Sequence, residues 1–100
     1  MAKYHLTNQA VSDLDSIWDY TLATWGERQA DEYYNALILT FSDIAKQPCY
    51  LDREYVEVHS GLYRRTFRKH LVFYRLADNN EVEIVRILHQ KMEIDKQLQQ

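Results

Sequence analysis

Two long stretches of the chain repeat their apolar residues every three or four positions, and the last third alternates instead. From Asn8 to about Thr24 the repeating positions are Ala10, Leu14, Ile17, Trp18, Thr21 and Trp25, which fall on one face of a helix. Thr7 suits the N-cap, and Ala10 three residues on means there is no capping box. Gly26 breaks the run and suits a helix C-terminus. A second helix is expected from about Glu27 to Lys46, where Ala30, Tyr33, Tyr34, Leu37, Ile38, Phe41, Ile44 and Ala45 form the strongest period in the chain; Pro48 stops it. Joined by one glycine, the two make an αα-hairpin.

Leu71 to Leu76 and Val82 to Leu88 are rich in β-branched and aromatic residues, with turn material at Asp78, Asn79 and Asn80 between them. That is a β-hairpin. Leu62 to Phe67 adds a third antiparallel strand, and Lys3 to Leu6 is short enough for an edge strand. Pro48 to Ser60 reads as a surface loop, and Glu93 to Gln100 as a frayed helical tail. Both faces of the hairpin strands are largely apolar. Leu71 and Phe73 oppose Val72, Tyr74 and Leu76. Strict alternation puts Val82, Ile84, Arg86 and Leu88 on one face, with Val85, Ile87 and His89 on the other. Two helices cover only one face, so the second must meet the tail, the loop or a partner chain.

One hundred residues form one domain, and at 46% hydrophobic residues the chain is globular. No apolar run approaches the ~20 residues of a membrane span, and the first residues lack the apolar core of a signal peptide. The single Cys49 has no disulfide partner in the chain, which favours a reducing, cytoplasmic compartment.

Charge is unevenly placed. Residues 1–60 carry four Lys/Arg against ten Asp/Glu, whereas residues 61–100 carry eight against five. Arg64, Arg65, Arg68, Lys69 and Arg75 occur with no acidic residue among them. This run reads either as a solvated sheet surface or as a face for an acidic partner. Arg86, His89 and Lys91 sit close by in sequence. They would support a phosphate-cleaving reading, with His89 as acid or base and Arg86 stabilising charge. Against it, Arg86 and His89 point to opposite faces of a regular strand. There is no Gly-rich phosphate loop, nucleophile elbow or Cys/His metal spacing, so neither cofactor nor metal is expected.

Leu6-Thr7, Ala10, Asp13-Leu14, Ile17 to Tyr20, Trp25-Gly26, Gln29-Ala30, Tyr33 and Pro48, followed by Gly61-Leu62, Arg64, His70, Val72 to Arg75, Val85 to His89 and Met92, carry a resemblance over nearly the whole chain. In this order and spacing it resembles the ParE branch of the RelE/ParE superfamily, toxins of type II toxin–antitoxin modules. The resemblance implies an α+β fold of order β-α-α-β-β-β, a helical hairpin on a small antiparallel sheet. It implies a ParD-like antitoxin as partner in a hetero-oligomer, operator DNA reached only through that antitoxin, and inhibition of DNA gyrase without catalysis. The RelE branch cleaves ribosome-bound mRNA, often with a late tyrosine; no tyrosine follows Tyr74 here. That endoribonuclease, with Arg86 and His89 as its site, and a non-toxic antitoxin-binding relative are the alternatives. The chain departs from the family pattern at Arg68-Lys69, where glycine is common before the histidine. Expected target or antitoxin contacts are Arg64, Arg65, Arg68, Lys69, Arg75, Arg86, His89 and Lys91, with Trp18, Trp25 and Tyr34 on the helical hairpin.

Overall fold

The computed structural model describes residues 3–49, 52–54 and 61–91. Strand β1 (Tyr4–Leu6) leads into α1 (Asn8–Trp25) and α2 (Glu27–Lys46). Strands β2 (Arg53–Glu54), β3 (Tyr63–Phe67), β4 (His70–Leu76) and β5 (Val82–His89) follow. The sheet order is β1-β5-β4-β3-β2. The architecture is the expected α+β hairpin-on-sheet. Two details differ. The loop after Pro48 contains β2, paired antiparallel with Tyr63 and Arg64 of β3. The sheet is also mixed, because β1 runs parallel to β5. The expected C-terminal tail lies outside the described residues.

Local chemistry sets the helix ends. Thr7 is extended, and its Oγ1 accepts from Ala10 N at 3.0 Å. Gly26 has φ 93°, a conformation that a side chain would oppose. It closes α1 by donating to Leu22 O at 3.0 Å and opens α2 by accepting from Ala30 N. Among the described residues no helix is long and apolar enough to cross a membrane.

The core lies between the helical hairpin and one sheet face. Ala10, Leu14, Leu37, Phe41 and Ile44 pack on Val72, Tyr74, Val82, Ile84 and Ile87. The other face carries Leu62, Leu71, Phe73 and Leu88, with Val85 beside them. These four are buried within the isolated chain, so this face does not wait for a partner chain to cover it. That answers the question left open by the alternation.

The alternation fails once, in β5. Phe73 pairs with Arg86, but Tyr74 pairs with Ile84, so Val85 is an extra residue: a β-bulge. The inserted residue reverses the phase. Ile87 therefore joins Ile84 on the helix side, and Leu88 joins Val85 on the other, contrary to the strict alternation expected from sequence. A bulge leaves edge groups unpaired, and α1 and its N-cap supply their partners. Thr7 Oγ1 donates to Val85 O at 2.7 Å, and Ile87 N donates to Asp13 Oδ2 at 2.9 Å.

A second anchor holds the segment after α2. The buried Tyr74 hydroxyl donates to Asp52 and accepts from Cys49 N at 2.8 Å. Asp52 also takes both arms of Arg65, at 2.9 and 3.0 Å. Burial, with the Asp52 carboxylate adding to it, pushes the phenol far above its ordinary range. Tyr74→Phe removes both hydroxyl bonds while keeping the ring. Urea unfolding should show a loss of about 1–3 kcal/mol, and an unchanged midpoint would contradict the anchor.

Candidate functional site

The basic residues of the last third do not gather on one face. Arg64 shares the face of its cross-strand partner Phe73, while Arg65 shares that of Val72 and is held by Asp52. Arg75 sits at the far end of β4, paired with Glu83, which also receives His5 at 3.0 Å. Arg86 is pinned to Asp13 of α1 through Nε at 2.8 Å and a second nitrogen at 3.0 Å. Its guanidinium is committed to structure. By register Arg86 and His89 lie on opposite faces, because the bulge precedes both.

Arg68, Lys69, His89 and Lys91 do share one end of the sheet, where the β3–β4 turn lies beside the end of β5. Phe67 pairs with His70, leaving Arg68 and Lys69 as a two-residue turn. Such turns favour Gly, Asn or Asp where φ is positive. Arg68 nevertheless takes φ 54°, at a cost of order 1 kcal/mol. Its side chain compensates. The guanidinium binds Glu32 of α2 at 2.7 and 3.0 Å, and lies over the rings of Tyr33 and Phe67 at 5.2 and 5.1 Å. The hydrogen bonds from Arg68 hold the Glu32 carboxyl below its usual range. Gln90, the residue after β5, ties the turn, donating through N to Lys69 O at 2.9 Å and through Nε2 to Arg68 O at 3.1 Å. The departure from a glycine is thus a differently built turn, fastened to α2 and β5.

Behind the turn is a pair that sequence reasoning did not single out. Tyr33 Oη lies 2.6 Å from His70 Nδ1. The His70 ring stands edge-on to His89, its register partner, at 5.2 Å. His89 Nδ1 accepts from Lys91 N at 3.1 Å. Desolvation, helped by His89, lowers His70 to about 4, so it is neutral at physiological pH. The sequence signal was faint: Tyr33 fits the core stripe of α2, and only the register of β4 against β5 joins the two histidines. Among the described residues no group of three His, Cys, Asp or Glu side chains is placed to hold a metal.

The aromatic candidates occupy a different surface. Trp18 is half-buried and meets Tyr34 edge-on across the two helices at 5.8 Å. Trp25 is 66% exposed, and Val11, Leu22 and Tyr34 are also exposed. Val11, Trp18, Leu22 and Trp25 are spaced seven, four and three apart, one helical face. That face lies one residue round from the core stripe of Ala10, Leu14, Ile17 and Thr21, on the α2 side. Sequence reasoning missed Val11 and Leu22, because an apolar stripe this wide looks like core throughout. Exposed apolar side chains ranged along one helix face suit an interaction surface.

Residues 4–94 match the family described as ParE toxin of type II toxin-antitoxin system, parDE. Toxin ParE1 of Caulobacter vibrioides is 38% identical over 92 residues, covering 92% of this chain and 93% of that protein. Toxin ParE1 of Mycobacterium tuberculosis is 32% identical over 97 residues, covering 97% and 98%. The fold matches the solved chromosomal ParDE toxin–antitoxin system of P. aeruginosa with a TM-score of 0.76 at 21% identity, over 89% of this chain and 96% of that one. It also matches the RelBE2 toxin–antitoxin complex of Mycobacterium tuberculosis, with a TM-score of 0.63 at 19% identity over 88% and 96%.

Neutral His70 makes stability depend on pH. The unfolded histidine takes its proton near 6.5, the folded one near 4. The contribution of the buried neutral ring is therefore complete above pH 6.5 and drains away as pH falls towards 4. His70 is only partly buried, so after allowance for solvent screening the loss should be about 1–2 kcal/mol. Urea unfolding of wild type and His70→Gln at pH 7 and pH 4.5 should show their difference changing by that amount. Parallel stability curves would contradict it.

Proposed function

The chain belongs to the ParE toxin family of type II toxin–antitoxin systems, and from that premise we propose that it poisons DNA gyrase and is held inactive by a ParD-like antitoxin. The match over residues 4–94 carries the reading. In this reading residues 1–100 act as one toxin domain in the cytoplasm. The protein stabilises cleaved gyrase–DNA without itself catalysing a reaction, arresting growth and supporting plasmid stabilisation. Operator DNA is reached only through the antitoxin.

Two surfaces divide the work. The antitoxin lays an apolar helix face on Trp18, Trp25 and Tyr34, with Val11 and Leu22, in the helix-in-groove mode. The sheet end carrying Lys69, His89 and Lys91 beside the pinned Arg68 faces the gyrase–DNA complex. Arg65 and Arg86 are already engaged by Asp52 and Asp13, which favours a positioning role for them over contact. Arg64 and Arg75 flank the sheet as secondary candidates for contact.

Purified protein should raise the amount of cleaved DNA in a gyrase reaction, and cognate antitoxin should abolish the effect. No change in cleavage or supercoiling, at concentrations that saturate the antitoxin, would overturn the gyrase assignment. Codon-positioned transcript cleavage would instead identify the ribonuclease alternative. Absence of a growth defect on expression without antitoxin would identify a non-toxic relative.

Trp25→Asp tests the docking surface. Its side chain is exposed, so stability should change by no more than about 0.5 kcal/mol, while antitoxin affinity should fall at least about tenfold. Equal affinity in a titration would move the antitoxin elsewhere.

A further inference from the structure

The apolar strip on the helical hairpin has acidic margins. Asp15 lies between Val11 and Trp18 in the helical repeat, and Asp19 stands beside Leu22. On α2, Glu27 and Asp31 share the face of Tyr34 at spacings of four and three. The only basic residues of the two helices, Arg28 and Lys46, fall with Asn35, Leu39 and Ser42 on another face. Structure accounts for other carboxylates of the hairpin: Asp13 holds Arg86, and Glu32 holds Arg68. Asp15, Asp19 and Asp31 are exposed and make no ion pair with a described residue. Asp15 and Asp19 also lie beyond the first turn of α1, where the helix dipole would favour them.

We propose that this strip takes an amphipathic helix whose apolar anchors are flanked by lysine or arginine, rather than an acidic segment. The proposal rests on the reading that the strip holds the antitoxin, and it fixes the charge of the segment that binds. Apolar contact on Trp18, Leu22, Trp25 and Tyr34 supplies most of the affinity. The four carboxylates set orientation and reject acidic helices by repulsion.

The test uses the full-length protein, immobilised, and a displayed library of helical peptides. All peptides share one apolar face, and their flanking positions are randomised among Lys, Gln and Glu. Selection should enrich Lys at the flanks. The selected peptide should bind the Asp15→Asn, Asp19→Asn, Asp31→Asn triple variant about tenfold more weakly, and should weaken with added salt. Enrichment of Glu, no charge bias, no retained binder, or a triple variant that binds equally well would each overturn the proposal. A companion assay separates this failure from failure of the toxin reading. If Asp15→Lys with Asp19→Lys leaves a toxic protein fully neutralised by its antitoxin, the charge inference falls and the toxin reading stands. A Lys bias in a protein that never acts on gyrase leaves the inference standing and removes the gyrase reading.

Discussion

The structure depends on one carboxylate, Asp13, placed where β5 loses its strand neighbour. Strand β1 ends at Leu6, and beyond Ile84 the edge of β5 would expose unpaired groups at a bulge. Asp13 receives Ile87 N and both arms of Arg86, while Thr7 satisfies Val85 O. Helix α1 is thereby fixed along the sheet edge, and the core stripe of Ala10 and Leu14 is aimed at Ile84 and Ile87. The bulge places both isoleucines on the helix side, which strict alternation would not allow. Asp13 and Arg86 are both largely buried, so removing one partner strands the other charge away from water.

The same logic repeats across the sheet. Arg65 is held by Asp52 and Arg68 by Glu32, so carboxylates of the acidic first part of the chain engage arginines of the basic last part. Part of the charge asymmetry seen in the sequence is thus a set of clasps between elements. What stays outward is an apolar helix face with acidic margins and a small basic corner around the β3–β4 turn.

Both helices were legible because their periods are long and their ends are marked by Thr7, Gly26 and Pro48. The β4–β5 hairpin was legible for the same kind of reason. The bulge was not: Val85 and Arg86 sit in an unbroken apolar-rich run, and the partner that stabilises the irregularity is 73 residues away. Strand β2 has only two residues and takes its identity from β3, so no local pattern announces it. For the candidate site, Trp18, Trp25 and Tyr34 were visible as residues but not as a surface, since core and docking aromatics share the same helical spacing. The arginines were visible as charge, but which ones are occupied depends on Asp13, Glu32 and Asp52, all distant in sequence.

If sheet arginines are structural clasps for acidic residues of the same chain, Asp13 and Arg86 must act as a unit. A double-mutant cycle on Asp13→Ala and Arg86→Ala, read by urea unfolding, tests it most directly. Strong coupling is expected, about 1–3 kcal/mol, with the double variant less destabilised than the two single variants summed. Additive losses, with no coupling between the two positions, would contradict it.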